Sequence, residues 1–558
     1  MVKWSIIAVC MVPVCAGLAG VFLPAFGWFP LYGKSDFTFD IIGHLVSRAG
    51  FLHSIWLSIF TALFSTFIAY WLCIFILIYS QHFSYHYWLR KVIAPLIAVP
   101  HVTMAVGILF LIQPSGWWFR IISPWLTGWQ TPANLNIVPD LYGFSLVLGL
   151  VVKELPFLLL VGFAILKQTN ISGYGQISRS LGYGPVSSWF HFIHPLIAVR
   201  LRLCVLIVLC FAVSVVDMAL ILAPSTPAPL AVKIFSWYQE PEIEPQFFAA
   251  AGSVYLLIIA AFCCGIWLLF GWGVGYIFRL FSFYGVRFSS GWRIAKLVQI
   301  GVLFSAALIL LIGILALLSA AIWAFADIWY FPNMLPQKWG VSAWENGYNT
   351  YVSLALNSFT IGFIVSMLAL ISAIIWLEIP HKPVLKITDF FIYVPLLLPQ
   401  AGFLFGMQIL IIWLNIDGLL FTVIWAHYLF VFPYILLTLG PIWRRFDIRY
   451  ELMGASLGLG KLAILWRVKM PMLAVPIITA FSIGFAVSCA LYLPTIFAGN
   501  GHFLTLTTEA VTLAANASRQ ALGIAAILQM LLPLIIFSAA GIYLKLRWRR
   551  YRYFRIAD

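Results

Sequence analysis

The sequence predicts an all-α polytopic membrane protein with about twelve transmembrane helices. Three observations carry that expectation. Of 558 residues, 63% are apolar and 9% charged, whereas a soluble domain holds roughly 45–50% apolar and about 25% charged residues. Aromatic side chains make up 17%, with 24 Trp, 23 Tyr and 47 Phe, which suits many membrane–water boundaries. Long apolar segments alternate with short polar ones, and a helix needs about 20 residues to cross about 30 Å of hydrocarbon. A soluble enzyme, a disordered chain and a nucleic-acid binder are excluded together.

Taken in order, the spans fall near 6–27, 51–79, 92–113, 140–166, 196–223 and 247–278, then near 297–324, 351–378, 388–413, 419–443, 472–498 and 518–544. The first follows Lys3; it is too long for a signal-peptide core and lacks a small-x-small cleavage site, so it reads as a membrane helix. Twelve spans place both termini on one side. With the ends in the cytoplasm, 25 of the 32 Lys and Arg fall in inward segments. Six fall outside (Lys34, Arg48, Arg120, Lys233, Lys338 and Arg519), and Lys153 lies within the membrane. That bias predicts a multi-pass protein with both termini cytoplasmic. The formal charge of +15 is therefore topology, and the tail from Lys545 to Arg552 is a stop anchor at the lipid surface rather than an RNA-binding arm. All eight cysteines sit in apolar stretches with no CxxC pair, so they read as inert buried thiols, and no metal or cofactor is expected.

Self-similarity organises the chain further. Ser180-Leu-Gly182-Tyr-Gly184 recurs as Ser456-Leu-Gly458-Leu-Gly460, and each is followed by a proline 13 residues after its first glycine, Pro195 and Pro471. Phe-Ala-Val-Ser occurs at 211–214 and at 485–488. Pro156-Phe157 parallels Pro433-Tyr434, and Pro95-Leu96…Pro100…Gly107 parallels Pro395-Leu396…Pro399…Gly406. Earlier still, Ser54, Leu57, Ser58 and Thr61 align with Ser353, Leu356, Asn357 and Thr360. Matches kept in this order indicate duplication. Residues 1–278 form a first half (core about 51–278), 279–296 a cytoplasmic linker, and 297–558 a second half (core about 351–544). Six helices per half make the copies parallel, related by an axis along the membrane normal, with a solute pathway between them.

The inward segments at about 167–195 and 444–471 read as short helix, glycine turn and returning helix. Asp447 caps a helix over Arg449–Leu457, the Gly458/Gly460 pair breaks it, and Pro471 marks the return. Such a helix is too short to span a bilayer, so it lies at the surface and offers Tyr450, Leu452, Met453 and Leu457 to a cytoplasmic partner. A plain connector is the alternative; the same shape in both halves favours docking.

The pattern Gly458…Pro471, with its twin Gly182…Pro195, resembles the EAA loop of permeases in binding-protein-dependent ABC importers. The likeness covers nearly the whole chain and is closest to fused permeases of the ferric-iron, thiamine and YnjC-like group, with MetI-like type 1 transmembrane domains. Lys153-Glu-Leu-Pro-Phe157, Tyr492-Leu-Pro-Thr495 and Thr507-Thr-Glu-Ala-Val511 resemble the YnjC-like members most. The resemblance implies a coupling helix in each loop, two copies of a cytoplasmic ABC ATPase, a periplasmic or extracellular solute-binding protein, a small solute and a bacterial inner membrane. It carries Gly182, Gly184, Pro195, Gly458, Gly460 and Pro471 to the coupling loops, with Glu451 as the candidate loop acid. The family's loop glutamate lies six residues before the glycine, where this chain has Leu452, with Glu451 one earlier. Gln176 holds that place in the first loop.

An ionisable group at mid-membrane costs at least about 2.5–3.5 kcal/mol on insertion scales and calls for a partner. Lys153 and Glu154 lie in the fourth span about 100° apart, so pairing with another helix is favoured over lining a pathway. Phe430 and Val431 stand in their place in the second half. Asp217, toward the outer end of the fifth span, is a pathway candidate. His427, Asn357 and Ser58 are read as interhelical hydrogen-bonding groups before solute ligands.

No nucleotide site is legible. Gly454–Leu462 has the wrong glycine spacing for a P-loop and Leu462 where Ser or Thr is required. No catalytic constellation appears, so no enzyme activity is expected and ATP must bind another polypeptide. The rival reading is a secondary active transporter with two six-helix repeats; it leaves the twin loops unexplained.

Overall fold

The computed structural model describes residues 2–29, 33, 36–80, 96–167, 171–285, 292–379, 386–515 and 518–549. Arg90, Lys91, Pro95, Arg287, Lys382, most of the expected linker's middle and the tail beyond 549 lie outside them. The chain is an all-α polytopic membrane protein. Among the described residues, ten helices are long and apolar enough to cross a bilayer. Two further pairs, bent by 102° and 79°, raise the number to twelve if each is one span. A two-stranded antiparallel ribbon, Ala326–Ile328 with Lys338–Trp339, is the sole sheet among these residues. The expected linker at 279–296 is helical at both ends, because Ile243–Phe283 runs into it and Trp292–Phe325 begins inside it.

Prolines set the bends. Lys386–Leu397 and Ala401–Trp413 meet at 102° across Pro399, which lacks an N–H and drives its predecessor out of helical geometry. In the first half Pro100 is extended (φ −63°, ψ 156°) and the next helix starts at His101. Two expected spans are broken rather than continuous. Residues 196–223 divide into His194–Ser214 and Asp217–Leu222, and 472–498 divide into Ala474–Ala490 and Leu493–Gly499. Val215 and Leu491 are extended at the two breaks, with ψ of 126° and 119°. No glycine or proline at 215–216 signals the first break; tertiary contacts hold it. Ser145 Oγ donates to Leu222 O at 2.7 Å beyond that break, and Thr422 Oγ1 donates to Ala498 O at 3.0 Å beyond the other.

The breaks also correct the register read from sequence. Each helix ends nineteen residues past its proline (214 − 195 and 490 − 471), so Ser214 matches Ala490. The two Phe-Ala-Val-Ser segments are therefore two residues out of step. Likewise Ser58 Oγ accepts from Leu230 N at 2.9 Å, and Ser358, not Asn357, makes the same contact with Leu506 N at 3.0 Å.

The first helix of each half packs on the other half. Val2–Ala25 crosses Ala401–Trp413 so closely that a Cβ on Gly406 would lie 1.9 Å from Gly17 O. Trp292–Phe325 crosses His101–Ile112, where a Cβ on Gly107 would lie 2.6 Å from Ala316 O. Gly107 and Gly406 stand at matching positions of the repeat, and at both the missing side chain admits a neighbouring backbone.

Candidate functional site

A central cavity of about 150 Å³ lies between the halves, room for about ten waters at roughly 10–15 Å³ each. The two broken spans and the two proline bends meet there. Lys153, Glu154, His101 and Asp217 line it from the first half, and Gln400, Phe430, Tyr434 and Tyr492 from the second. Helix breaks place two of these groups: His101 opens the helix after Pro100, and Asp217 opens the helix after Val216.

Lys153 and Glu154 are both buried and do not share one partner. Lys153 Nζ donates to the carbonyls of Ile97 at 3.1 Å, Leu96 at 3.5 Å and Val99. Those carbonyls close the helical stretch before the Pro100 bend, where no following N–H reaches them. The cation thus caps a helix end at the cavity wall. Glu154 Oε1 lies 3.5 Å from His101 Nε2, and the His101 ring sits on Phe211 at 4.6 Å between centroids. Asp217 is 7% exposed at the mouth of its short helix.

The remaining polar candidates lie elsewhere. His427 bonds Ser488 Oγ and Thr495 Oγ1, both at 2.9 Å, and so bridges the break at Leu491–Tyr492. Asn357 Nδ2 donates to Leu504 O at 3.0 Å. Neither lines the cavity. Sequence reading missed His101 and Gln400, whose signal was their position directly after a proline in corresponding segments.

The two loops share a backbone. In the first, Ile171–Ser180 is followed by Gly182 at φ +80°; in the second, Ile448–Ser456 is followed by Gly458 at φ +81°. This left-handed conformation favours glycine, which has no Cβ to clash. Gly460 is extended and Gly184 has no positive φ, so one glycine of each pair makes the turn. A π turn then precedes each proline: Trp189–Ile193 before Pro195 and Leu465–Lys469 before Pro471. The widened turn accommodates carbonyls that a proline four residues on can neither bond nor clear. Six crossings separate the loops when each bent pair is one span, which sets them on the same face.

Asp447 Oδ1 accepts from Arg449 N at 3.0 Å, the cap expected from sequence. Leu452, Met453 and Leu457 are 61–79% exposed, and Tyr450 and Ile448 also face outward. In the first loop Tyr174, Ile177 and Leu181 are exposed. Apolar side chains clustered on short surface helices mark an interaction face. Glu451 does not join that face. Its Oε1 lies 2.8 Å from Lys469 Nζ, inside the protein's own ion network.

Among the described residues no group of three or more His, Cys, Asp or Glu is placed to hold a metal ion. No family model matches the chain. The inner membrane ABC transporter permease protein YnjC of Escherichia coli (strain K12) is 33% identical over 453 residues, covering 81% of this chain and 80% of that protein.

Proposed function

The chain belongs to the ABC transporter permease family, and from that premise we propose that it is an importer permease carrying both transmembrane halves. It is a multi-pass inner-membrane transport subunit; the reading adds both termini in the cytoplasm and a small solute crossing through the central cavity. Two cytoplasmic ATPase subunits dock on the two loops, and a periplasmic binding protein presents the solute on the opposite face. Family membership sets aside the secondary-transporter alternative.

In this mechanism the chain binds no nucleotide. ATP closes the ATPase pair, the docking helices approach one another, and the cavity opens outward; hydrolysis and release return it inward. The Pro100 and Pro399 bends and the twin helix breaks allow the cavity walls to move as bodies, since their ends are already decoupled from the long spans. The solute meets carboxylates and an imidazole on one wall and aromatic faces with Gln400 on the other.

The observation that supports the reading best is the pair of loops: same left-handed glycine, same π turn, same proline spacing, both with exposed apolar residues. The test is co-purification of the ATPase subunit from native membranes with the tagged chain. Leu452→Asp with Met453→Asp, and separately Ile177→Asp, are expected to cut capture about tenfold or more, as charges placed in an apolar contact do. Undiminished capture with all three changes in place contradicts the reading.

A further inference from the structure

We propose that Lys469 is a positioning residue that locks the second docking helix to the membrane helix Tyr348–Glu378; among the described residues, the matching positions of the first half carry no ionisable group. The inference rests on the reading of the loops as ATPase docking sites.

Lys469 closes the π turn Leu465–Lys469, and its ammonium sits between two carboxylates from different elements. Nζ is 2.6 Å from Glu378 Oε1 and 2.8 Å from Glu451 Oε1, and the lysine side chain is only 9% exposed. Glu378 is the last residue of Tyr348–Glu378, and Glu451 lies on the docking helix Ile448–Ser456. Trp443, the last residue of Leu420–Trp443, donates its indole N–H to the same Glu378 oxygen at 2.9 Å. The Trp443 and Phe446 rings each stand 5.8 Å from the ammonium. Four elements thus converge on one cation.

The arrangement is specific as well as attractive. An ammonium has three donors, and two charge-assisted bonds to carboxylates fix where both carry their chains. Without the cation, Glu378 and Glu451 repel. Beyond the clasp, Tyr348–Glu378 bears on Ala474–Ala490, where Gly362 receives the Phe485 ring. Ile483, Ala486 and Val487 of that helix line the central cavity. A pull on the docking helix therefore reaches the cavity wall through Lys469 and a packed helix pair.

Among the described residues, the first half has no ionic group at the matching positions. In the loop register set by Gly182/Gly458 and Pro195/Pro471, Lys469 and Glu451 face Ile193 and Gly175. In the register set by Ser58/Ser358, Glu378 faces Ile78. None of the three ionises. The first loop is fastened by a hydrogen bond between Ser178 and Ser188 and by aromatic contacts of Trp189 and Phe190.

Hydrogen–deuterium exchange on the full chain in lipid nanodiscs tests the proposal. Amides of 448–456 are expected to exchange about tenfold more slowly than those of 171–180. Lys469→Met is expected to speed exchange of 448–456 about tenfold and to leave 171–180 within about twofold, and Lys469→Arg to restore most of the protection. Glu451→Gln cuts only the docking-helix leg and is expected to raise exchange there about threefold. Unchanged exchange at 448–456 in Lys469→Met, or an equal rise in both loops, overturns the proposal.

Adding the co-purifying ATPase with a non-hydrolysable ATP analogue separates the two readings. The wild-type chain is expected to change exchange in 448–456 and at the Glu378 end of its helix; Lys469→Met is expected to change only 448–456. A persisting response at the Glu378 end in Lys469→Met overturns the lock alone. No response at 448–456 in the wild type overturns docking and the lock with it.

Discussion

Gly182 and Gly458 turn the chain at φ +80° and +81°, and each loop widens into a π turn before its proline. Beneath that shared backbone the halves diverge in chemistry. At the cavity, the first half supplies Lys153, Glu154, His101 and Asp217, while the matching positions in the second are Phe430, Val431, Gln400 and Leu493. At the loops the bias reverses, and the second half holds the charges, Lys469 between Glu378 and Glu451. Backbone geometry is what both copies need for the same movement in the proposed mechanism. Side-chain charge has been divided, with the ionisable cavity-lining groups on one half and the ionic loop fastening on the other.

Six substitutions, grouped in four tests, sharpen or break this comparison, from the largest effect down. Gly406→Ala drives a methyl to 1.9 Å from Gly17 O, against 2.6 Å from Ala316 O for Gly107→Ala. The expected losses are about 3 and about 2 kcal/mol by thermal unfolding in detergent; the opposite order would show that the two crossings are not equivalent. Lys153→Met strips the carbonyls of Leu96, Ile97 and Val99 of their donor and is expected to cost about 2 kcal/mol in the same assay. A neutral result would mean the first bend needs a cation no more than the second, which has Phe430 there.

Gly458→Ala and Gly182→Ala are each expected to lose about 1–2 kcal/mol of local stability by amide exchange, because a Cβ is disfavoured at positive φ. Nothing lies within 4 Å of a Cβ at Gly458, so the cost there is conformational. A difference above about 1 kcal/mol between the two sites would deny that the loops share one backbone. His427→Leu removes two hydrogen bonds across the second break. Its expected cost is about 1 kcal/mol, near the upper range for polar contacts between membrane helices; no loss on thermal unfolding would assign the second break to packing alone.

Much of this was legible in the sequence because it is written in local terms. Apolar length located the spans, and the Gly–Pro spacing located the loops and the left-handed turn. Asp447 announced its cap. What escaped depends on residues far apart in the chain. Lys469 and Glu378 are 91 positions apart, so nothing in the sequence shows that the loop acid Glu451 faces a lysine of its own half. The break at Val215–Val216 carries no glycine or proline. It is held by groups on other helices, such as Ser145 at Leu222. The exchange of first helices between halves is equally silent, since Gly17 and Gly406 acquire meaning only when they touch.

The central claim is that both loops are handles for an ATPase. A photo-crosslinking residue placed at Leu452, and separately at Ile177, in cells expressing the full chain tests it most directly. The account predicts an adduct with the same cytoplasmic ATPase subunit from each position. Adducts with a periplasmic protein, or none with an ATPase from either position, would contradict it.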